Sequence, residues 1–148
     1  MRILLSLLGA VALSTSGMAA TCTTFQDMQN HVRANFEQPG METPENLGNI
    51  AGKFPGTGRC VPRKAGGTDP VARFECYWAS DVESRFAALL QDLKTCYPNW
   101  QPEERTDPAA VRQVRLKQDE MRAGVWIVQL YNAKTRMILM LAYMQKVK

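Results

Sequence analysis

The 148-residue chain has a net charge of only +4, from 18 Lys and Arg against 14 Asp and Glu, and 45% of its residues are hydrophobic. This composition is typical of a folded domain, and a chain of this length can bury a substantial core. Since there is no long run of Lys or Arg, the small positive charge does not point to nucleic acid or an anionic membrane as a partner. We therefore expect one folded domain and no nucleic-acid partner.

The first twenty residues have the architecture of a secretory signal. A single charge, Arg2, precedes an apolar run that is too short to span a bilayer, and small residues follow it. Cleavage is expected near Ala19 or Ala20. The sequence thus predicts a signal peptide over residues 1–20, a single domain over 21–148, and export to the periplasm or the exterior. No integral membrane segment is expected once the signal is removed.

Four cysteines lie in the predicted mature chain, and an even number in an exported protein favours two disulfides. They are Cys22, Cys60, Cys76 and Cys96. A helix folded back over its preceding strand favours Cys76–Cys96 with Cys22–Cys60. The objection is that a helix packed on a sheet holds its Cα atoms slightly beyond the ~4.4–6.8 Å that a disulfide allows. The strongest alternative is Cys60–Cys76 across a hairpin, which leaves Cys22–Cys96.

Local patterns predict a helix, a long connection and a hairpin in the first half of the domain. Apolar residues recur at helical spacing over 23–37, and residues 38–58 are rich in Gly, Pro and Asn. Residues 59–63 and 71–79 have the character of two strands. Pro62 lacks the N–H that an inner strand needs, so the first strand is expected at a sheet edge.

A central helix is predicted next. Ser80 and Glu83 match a capping box, and apolar residues then recur at helical spacing until Pro98 ends the pattern. Trp100 follows within a polar segment, residues 99–108. This indole is expected either to plug the end of the helix or to anchor a partner, because Trp is enriched at the centres of protein interfaces.

The C-terminal third gives the clearest strand pattern, over residues 111–118, 125–131 and 136–144. A four-residue turn between the last two strands would place Trp126 opposite Leu141. Both faces of these strands are apolar, whereas two helices cover only one face of a sheet. The second face therefore needs the long connection, a second subunit or a bound partner. The predicted fold is α+β in the order α-β-β-α-β-β-β, an antiparallel sheet of about five strands with both helices on one face and two disulfides.

The chain offers few groups for catalysis or metal binding. His31 is its only histidine, and no two cysteines lie close enough for the paired spacing of a zinc site. Met137, Met140 and Met144 would form a soft-metal site only if they converged, and a strand points Met137 away from the other two. We predict no cofactor, no metal and no catalytic residue.

Three functions fit these patterns. We favour a non-enzymatic protein-binding module of the cell envelope, such as an inhibitor or immunity-type protein, with another protein as partner. The first alternative is a structural or assembly component that associates with itself as a homo-oligomer. The second is a hydrolase, which would need a carboxylate pair such as Glu103 with Glu104 or Asp119 with Glu120.

The candidate partner-binding residues are two aromatic and three basic side chains. Phe54 lies in the long connection and Trp100 in the polar segment after the central helix. Arg112, Arg115 and Lys117 can steer an acidic partner. The commoner role of such charges is to keep an edge strand from pairing with other chains.

Overall fold

The computed structural model describes residues 16–37, 59–118 and 124–147, with side chains from residue 22 onward. These ranges contain two helices and six strands. In chain order they are α1 (Ser16–Arg33), β1 (Arg59–Arg63), β2 (Val71–Trp78), α2 (Val82–Cys96), β3 (Gln101–Arg105), β4 (Arg112–Lys117), β5 (Val125–Ala133) and β6 (Arg136–Lys146). The predicted α+β class, antiparallel sheet and two disulfides are confirmed, and the sheet has six strands rather than about five.

The strands form one antiparallel sheet in the order β1-β2-β6-β5-β4-β3. Strand β6 lies at its centre, paired with β2 on one side and β5 on the other. The edge position predicted from Pro62 is confirmed, since Pro62 belongs to the outer strand β1. Pro102 belongs to the opposite outer strand, β3. Each edge therefore has a proline whose missing N–H interrupts the row of backbone donors.

Strand β3 is the additional strand, and it lies within the segment predicted as a polar connection. Its sequence, Gln-Pro-Glu-Glu-Arg, has little of the β-branched or aromatic character of a strand. Pairing with β4 compensates, because Glu103 faces Arg115 across the ladder and its carboxylate lies 3.2 Å from the Lys117 ammonium. Cross-strand charge pairs of this kind stabilise antiparallel strands.

Both helices pack on the same face of the sheet. Helix α1 contacts β2 and β6, and α2 contacts β4, β5 and β6. Between the helices and the sheet lies the core, in which the rings of Phe25 and Trp126 meet edge to face at 5.1 Å. The largest fully buried side chains are Trp126, Tyr143, Phe25, Phe74, Phe86, Met28, Leu93, Leu116, Leu139, Leu141, Val32 and Val128.

The helix ends differ in detail from the sequence expectation. Helix α2 begins at Val82 with Asp81 at its N-cap, in left-handed backbone (φ 49°) and without a side-chain capping bond. The predicted capping box of Ser80 and Glu83 is therefore wrong. Helix α1 starts at Ser16 and ends at Arg33, so it begins and ends earlier than the predicted 23–37. The predicted cleavage site falls inside it, and cleavage there stays a prediction.

The disulfides are Cys22–Cys96 and Cys60–Cys76, so the favoured pairing was wrong and its strongest alternative is correct. Cys60 and Cys76 are direct neighbours across β1 and β2, with Cα atoms 4.1 Å apart. Helix α2 packs over β4 to β6 instead of over β2, which carries Cys76. Its C-terminal end therefore meets α1, where Cys22 lies 5.5 Å from Cys96 between Cα atoms.

The hairpin of β5 and β6 is tighter than predicted. Ala133 pairs with Arg136, which leaves a two-residue turn, and Trp126 faces Tyr143 instead of Leu141. Gly124 lies just before β5 against the Tyr143 ring. A Cβ added at Gly124 would lie 1.9 Å from the Tyr143 hydroxyl, so this close approach requires glycine.

Candidate protein-binding face

The sheet has a second face, which points away from both helices and which we call the open face. Side chains alternate along each strand, so the registers assign its members. They are Arg59, Val61 and Arg63 of β1, Val71, Arg73, Glu75 and Tyr77 of β2, Gln101, Glu103 and Arg105 of β3, Gln113, Arg115 and Lys117 of β4, Val125, Ile127, Gln129, Tyr131 and Ala133 of β5, and Arg136, Ile138, Met140, Ala142, Met144 and Lys146 of β6. No described helix packs on this side.

The centre of the open face is apolar. Strands β5 and β6 place aliphatic and thioether side chains there: Val125, Ile127, Ile138, Met140, Ala142 and Met144. Ile127 and Ala142 are 5% and 2% exposed, and the others are half-buried. The centre therefore combines side chains that the sheet itself shields with side chains whose apolar surface is in part accessible.

The rim of the open face is strongly basic. Among the described strand residues, it carries Arg59, Arg63, Arg73, Arg105, Arg115, Lys117, Arg136 and Lys146 against two acidic residues, Glu75 and Glu103. Eight basic and two acidic side chains leave a surplus of six positive charges, whereas the whole chain has +4. Among the residues that the structure describes, the positive charge is thus concentrated on this one face.

Two polar networks lie at the β3 and β4 end of the open face. Arg115 Nε donates to Gln113 Oε1 at 2.9 Å, and the Gln113 amide donates to Gln129 on β5. Glu103 lies 3.0 Å from Arg105 and 3.2 Å from Lys117. The hydrogen bond from Lys117 is the main cause of a lowered pKa of the Glu103 carboxyl. These contacts fix the orientation of the basic groups at this end.

At the other end, a depression of about 530 Å³ opens at what we call the β1–β2 corner. Its lining residues are all of polar types and come from both strands and the loop between them. The lining residues are Arg63, Lys64, Asp69, Arg73, Glu75 and Tyr77. Three of the six are basic and two are acidic, so the corner has a positive balance of its own.

Glu75 is the central residue of this corner, and it is buried at 8% exposure. Its Oε2 accepts from Arg63 Nε at 3.1 Å and from the Tyr77 hydroxyl at 2.6 Å. Burial, followed by the bond to Glu75, raises the pKa of Tyr77 to about 12. The same carboxylate raises the pKa of Arg63. Glu75 is therefore an internal partner of Arg63 and Tyr77.

The loop that completes the corner is fixed from beneath by the end of α1. Asn35 Oδ1 accepts from the backbone N–H of Ala65 at 2.7 Å, and Asn35 Nδ2 donates to the Ala65 carbonyl at 3.2 Å. Asn35 adopts left-handed backbone (φ 50°), which asparagine tolerates well. Within the loop, Gly66 and Asp69 exchange both backbone hydrogen bonds, at 2.9 and 3.0 Å. The corner is thus built on a closed turn attached to the helix layer.

The candidate residues from the sequence lie in different places. Phe54 falls outside the described residues. Trp100 is 8% exposed, and its ring packs on that of Tyr97 at the end of α2, with 5.0 Å between the ring centroids. This position fits the first of its two predicted roles, which is to cover the end of the helix. Arg112 points to the helix face, where it lies over the Phe86 ring and pairs with Glu104.

Arg115 and Lys117 are the two candidates that the sheet brings together on the open face. Their strand, β4, lies inside the sheet between β3 and β5. The predicted role of these charges in protecting an edge strand is therefore wrong for β4, since β3 covers that edge. Both side chains instead contribute to the basic rim.

Of the residues considered for catalysis, the described ones do not form a common site. Glu103 and Glu104 are adjacent on β3 and point to opposite faces, so the two carboxylates do not face one common site. Asp119 and Glu120 lie outside the described residues. His31 is half-buried, and its Nδ1 lies 2.7 Å from the Asp27 carbonyl of its own helix.

Sequence reasoning missed the β1–β2 corner. The signal was present, because Arg73, Glu75 and Tyr77 alternate with the apolar residues of β2 and must share one face. The sequence alone does not show that β1 pairs with β2 in a register that places Arg63 opposite Arg73. That register also brings Arg63 within reach of Glu75.

No family model, curated protein or solved structure matches the chain. Within the described residues, no three side chains of His, Cys, Asp or Glu come together in a way that would hold a metal ion. Neither helix of the described ranges is long and apolar enough to cross a membrane.

Proposed function

We propose that this protein is an exported, non-enzymatic protein-binding module that contacts its partner through the open face. The observation that carries the proposal is the apolar centre of that face, four of whose six side chains are half-buried, on the side of the sheet opposite both helices. Partly exposed apolar surface rimmed by polar residues is typical of protein interaction sites. The two disulfides support an oxidising compartment outside the cytosol.

Charge favours a foreign partner over a second copy of the chain. If two copies of the chain stacked their open faces on each other, two surfaces would meet that each have a net charge of six positive charges from eight basic and two acidic strand side chains. Like charges placed across an interface are unfavourable and select against the wrong partner. An inhibitor or immunity-type protein is the form we favour, because a small scaffold with two disulfides presents a rigid surface and loses little entropy on binding.

Affinity capture with a matched pair of variants tests the proposal. The disulfide-bonded protein is immobilised and exposed to an oxidised envelope extract, alongside Met140→Glu on the open face and Ala88→Glu on the exposed side of α2. A charge buried in the apolar centre without a partner is costly, so Met140→Glu should lose the bound protein. Ala88→Glu adds the same charge elsewhere and should retain it.

The native mass of the purified protein is measured in parallel. A protein retained in stoichiometric amount by the wild type and by Ala88→Glu, but not by Met140→Glu, supports the proposal. A defined homo-oligomer that dissociates on Met140→Glu, with no foreign protein retained, would replace it with self-assembly. Retention that Met140→Glu leaves unchanged would exclude the apolar centre of the open face as the contact surface.

A further inference from the structure

In the β1–β2 corner, the carboxylates accept from only some of the hydrogen-bond donors of the basic side chains. Glu75 accepts from Arg63 and Tyr77, and Asp69 lies 3.0 Å from Arg73 Nη2. The second oxygen of Asp69 accepts from the backbone N–H of Val71 at 3.0 Å. Both carboxylates of the depression are therefore occupied by bonds within the corner.

Two guanidinium groups keep free donors. Arg73 bonds to Asp69 through Nη2, so its other terminal nitrogen, Nη1, is without a hydrogen-bond partner among the described residues, while its unpartnered Nε is buried and out of a ligand's reach. Arg63 bonds to Glu75 through Nε alone, so its terminal nitrogens remain available within the same part of the chain. The two arginines are direct neighbours across β1 and β2, and their side chains are 57% and 32% exposed for Arg63 and Arg73.

The arginines are also held in place before any ligand arrives. Asp69 fixes the end of Arg73, Glu75 fixes the Nε of Arg63, and the loop beneath them is anchored to Asn35. Guanidinium groups form planar, paired hydrogen bonds with carboxylates, and preorganised groups lose less entropy on binding. Phosphates form the same paired bonds, and a carboxylate is the group of this kind that a protein partner offers.

We infer that the β1–β2 corner is a carboxylate-binding subsite that receives an Asp or Glu side chain of an acidic partner protein. This inference rests on the proposed function. Arg73 and Arg63 supply the hydrogen bonds, and the basic rim attracts the acidic surface around that side chain. The aliphatic centre of the open face contacts the apolar part of the same partner. That centre offers few aromatic rings for stacking bases, which favours a protein over a nucleic acid.

The test uses the disulfide-bonded protein labelled with ¹⁵N and a blocked hexaglutamate peptide as probe, with blocked hexaglutamine as the uncharged control. The ¹H–¹⁵N signal of each arginine Nε reports contact at that side chain. Hexaglutamate should shift the Nε signals of Arg73 and Arg63, and hexaglutamine should leave both unchanged. Absence of a shift at Arg73 under saturating hexaglutamate would overturn the inference.

A pair of matched variants separates the subsite from general charge attraction. Arg73→Gln should weaken hexaglutamate binding by about tenfold, as expected when hydrogen bonds to a charged group are lost. Arg136→Gln removes the same charge from the far end of the open face, at the β5–β6 turn, and should weaken binding by less than about twofold. Equal losses in the two variants would show a diffuse field and would overturn the subsite. If Arg73→Gln does not fold, Arg63→Gln takes its place.

Two further probes examine the chemistry of the occupant. A hexathymidylate strand and phosphatidylglycerol vesicles also present anions. Weaker binding of both than of hexaglutamate supports an acidic protein. Tighter binding of either one, with the same loss in Arg73→Gln, would assign the corner to phosphate groups and overturn the inference.

The outcome is separable from that of the proposed function. If Met140→Glu abolishes capture while Arg73→Gln captures as the wild type does, the subsite fails and the binding module stands. If hexaglutamate binding depends on Arg73 while Met140→Glu captures normally, the subsite stands and the open face as a whole is not the contact surface.

Discussion

The helix face and the open face of the sheet are formed by the same apolar strands, but they differ in how deeply their side chains are buried. On β6, Leu139, Leu141 and Tyr143 point to the helices and are fully buried. Between them, Met140 points to the open face and is half-buried. Alternation in the strand therefore produces two comparable apolar faces, and the position of the helices decides which one becomes the core.

Charge marks the same difference. The open face collects eight basic side chains of the described strands, whereas the helix face has one ion pair at its margin, between Arg112 and Glu104. Charged residues around an apolar centre keep it compatible with water and prevent nonspecific association. The open face therefore has the composition of a protein surface, with charged side chains around an apolar centre. The helix face has the composition of a protein core.

The largest effect is expected from removing the disulfide that holds the helix layer together. Replacing Cys22 and Cys96 by Ala frees a loop spanning 74 residues of sequence. The chain-entropy model gives a loss of about 4 kcal/mol in the free energy of unfolding, measured by urea denaturation. A loss below about 1 kcal/mol would show that packing on the helix face, and not the covalent link, keeps the layer closed.

Neighbouring residues on β6 test the two faces directly. Leu141→Ala deletes a fully buried side chain from the helix face and should lower the free energy of unfolding by about 3 kcal/mol. Met140→Ala deletes a half-buried side chain from the open face and should cost about 1 kcal/mol. Urea denaturation of both variants gives the comparison, and equal costs would mean that the open face is as enclosed as the core.

Gly124 probes how tightly the helix face is packed. Gly124→Ala places a methyl group against the Tyr143 ring and should cost about 2 kcal/mol of unfolding free energy through overpacking. Gly66→Ala is the matched control, because a Cβ at Gly66 meets nothing within 4 Å. Thermal unfolding should leave the control within about 0.5 kcal/mol of the wild type. Tolerance of Gly124→Ala would show that the Tyr143 ring moves easily.

Two tyrosines, Tyr77 on the open face and Tyr97 at the helix layer, provide the smallest contrast. Burial is the main cause that raises the pKa of each to about 12. Because the folded-state pKa is raised, both hydroxyls contribute stability below pH 10, and that contribution is lost as the pH rises from 10 to 12. Urea denaturation of wild type and Tyr77→Phe below pH 10 and near pH 12 measures this loss, which should be smaller in the variant, and absorbance titration locates the ionisation itself. A Tyr77 that ionises near its ordinary pKa would mean that solvent enters the β1–β2 corner.

Much of the fold could be predicted because its signals are local. The apolar runs of β5 and β6, the apolar stripe of α2 and the edge position of Pro62 depend on residues close together in the sequence. Strand β3 could not be predicted in the same way. Its residues have low strand propensity, and it forms because β4 offers a ladder and oppositely charged side chains.

The disulfides and the β1–β2 corner depend on relations between distant segments. The pairing of Cys22 with Cys96 requires α1 to lie beside the end of α2, and no local pattern encodes that placement. The observed register of β5 and β6 differs from the predicted one by two residues. The sequence did not define how many residues the turn uses, and the turn length sets the register. Arg63 reaches Glu75 only once β1 has paired with β2.

The prolines in the two outer strands have a consequence for how binding specificity can change. Pro62 and Pro102 discourage an incoming strand from extending the sheet by backbone hydrogen bonds. The binding proposed for the open face would therefore depend on side-chain identity instead of main-chain pairing. Substitutions at positions such as Met140 or Arg73 would then alter which partner is preferred while the backbone and its two disulfides stay the same.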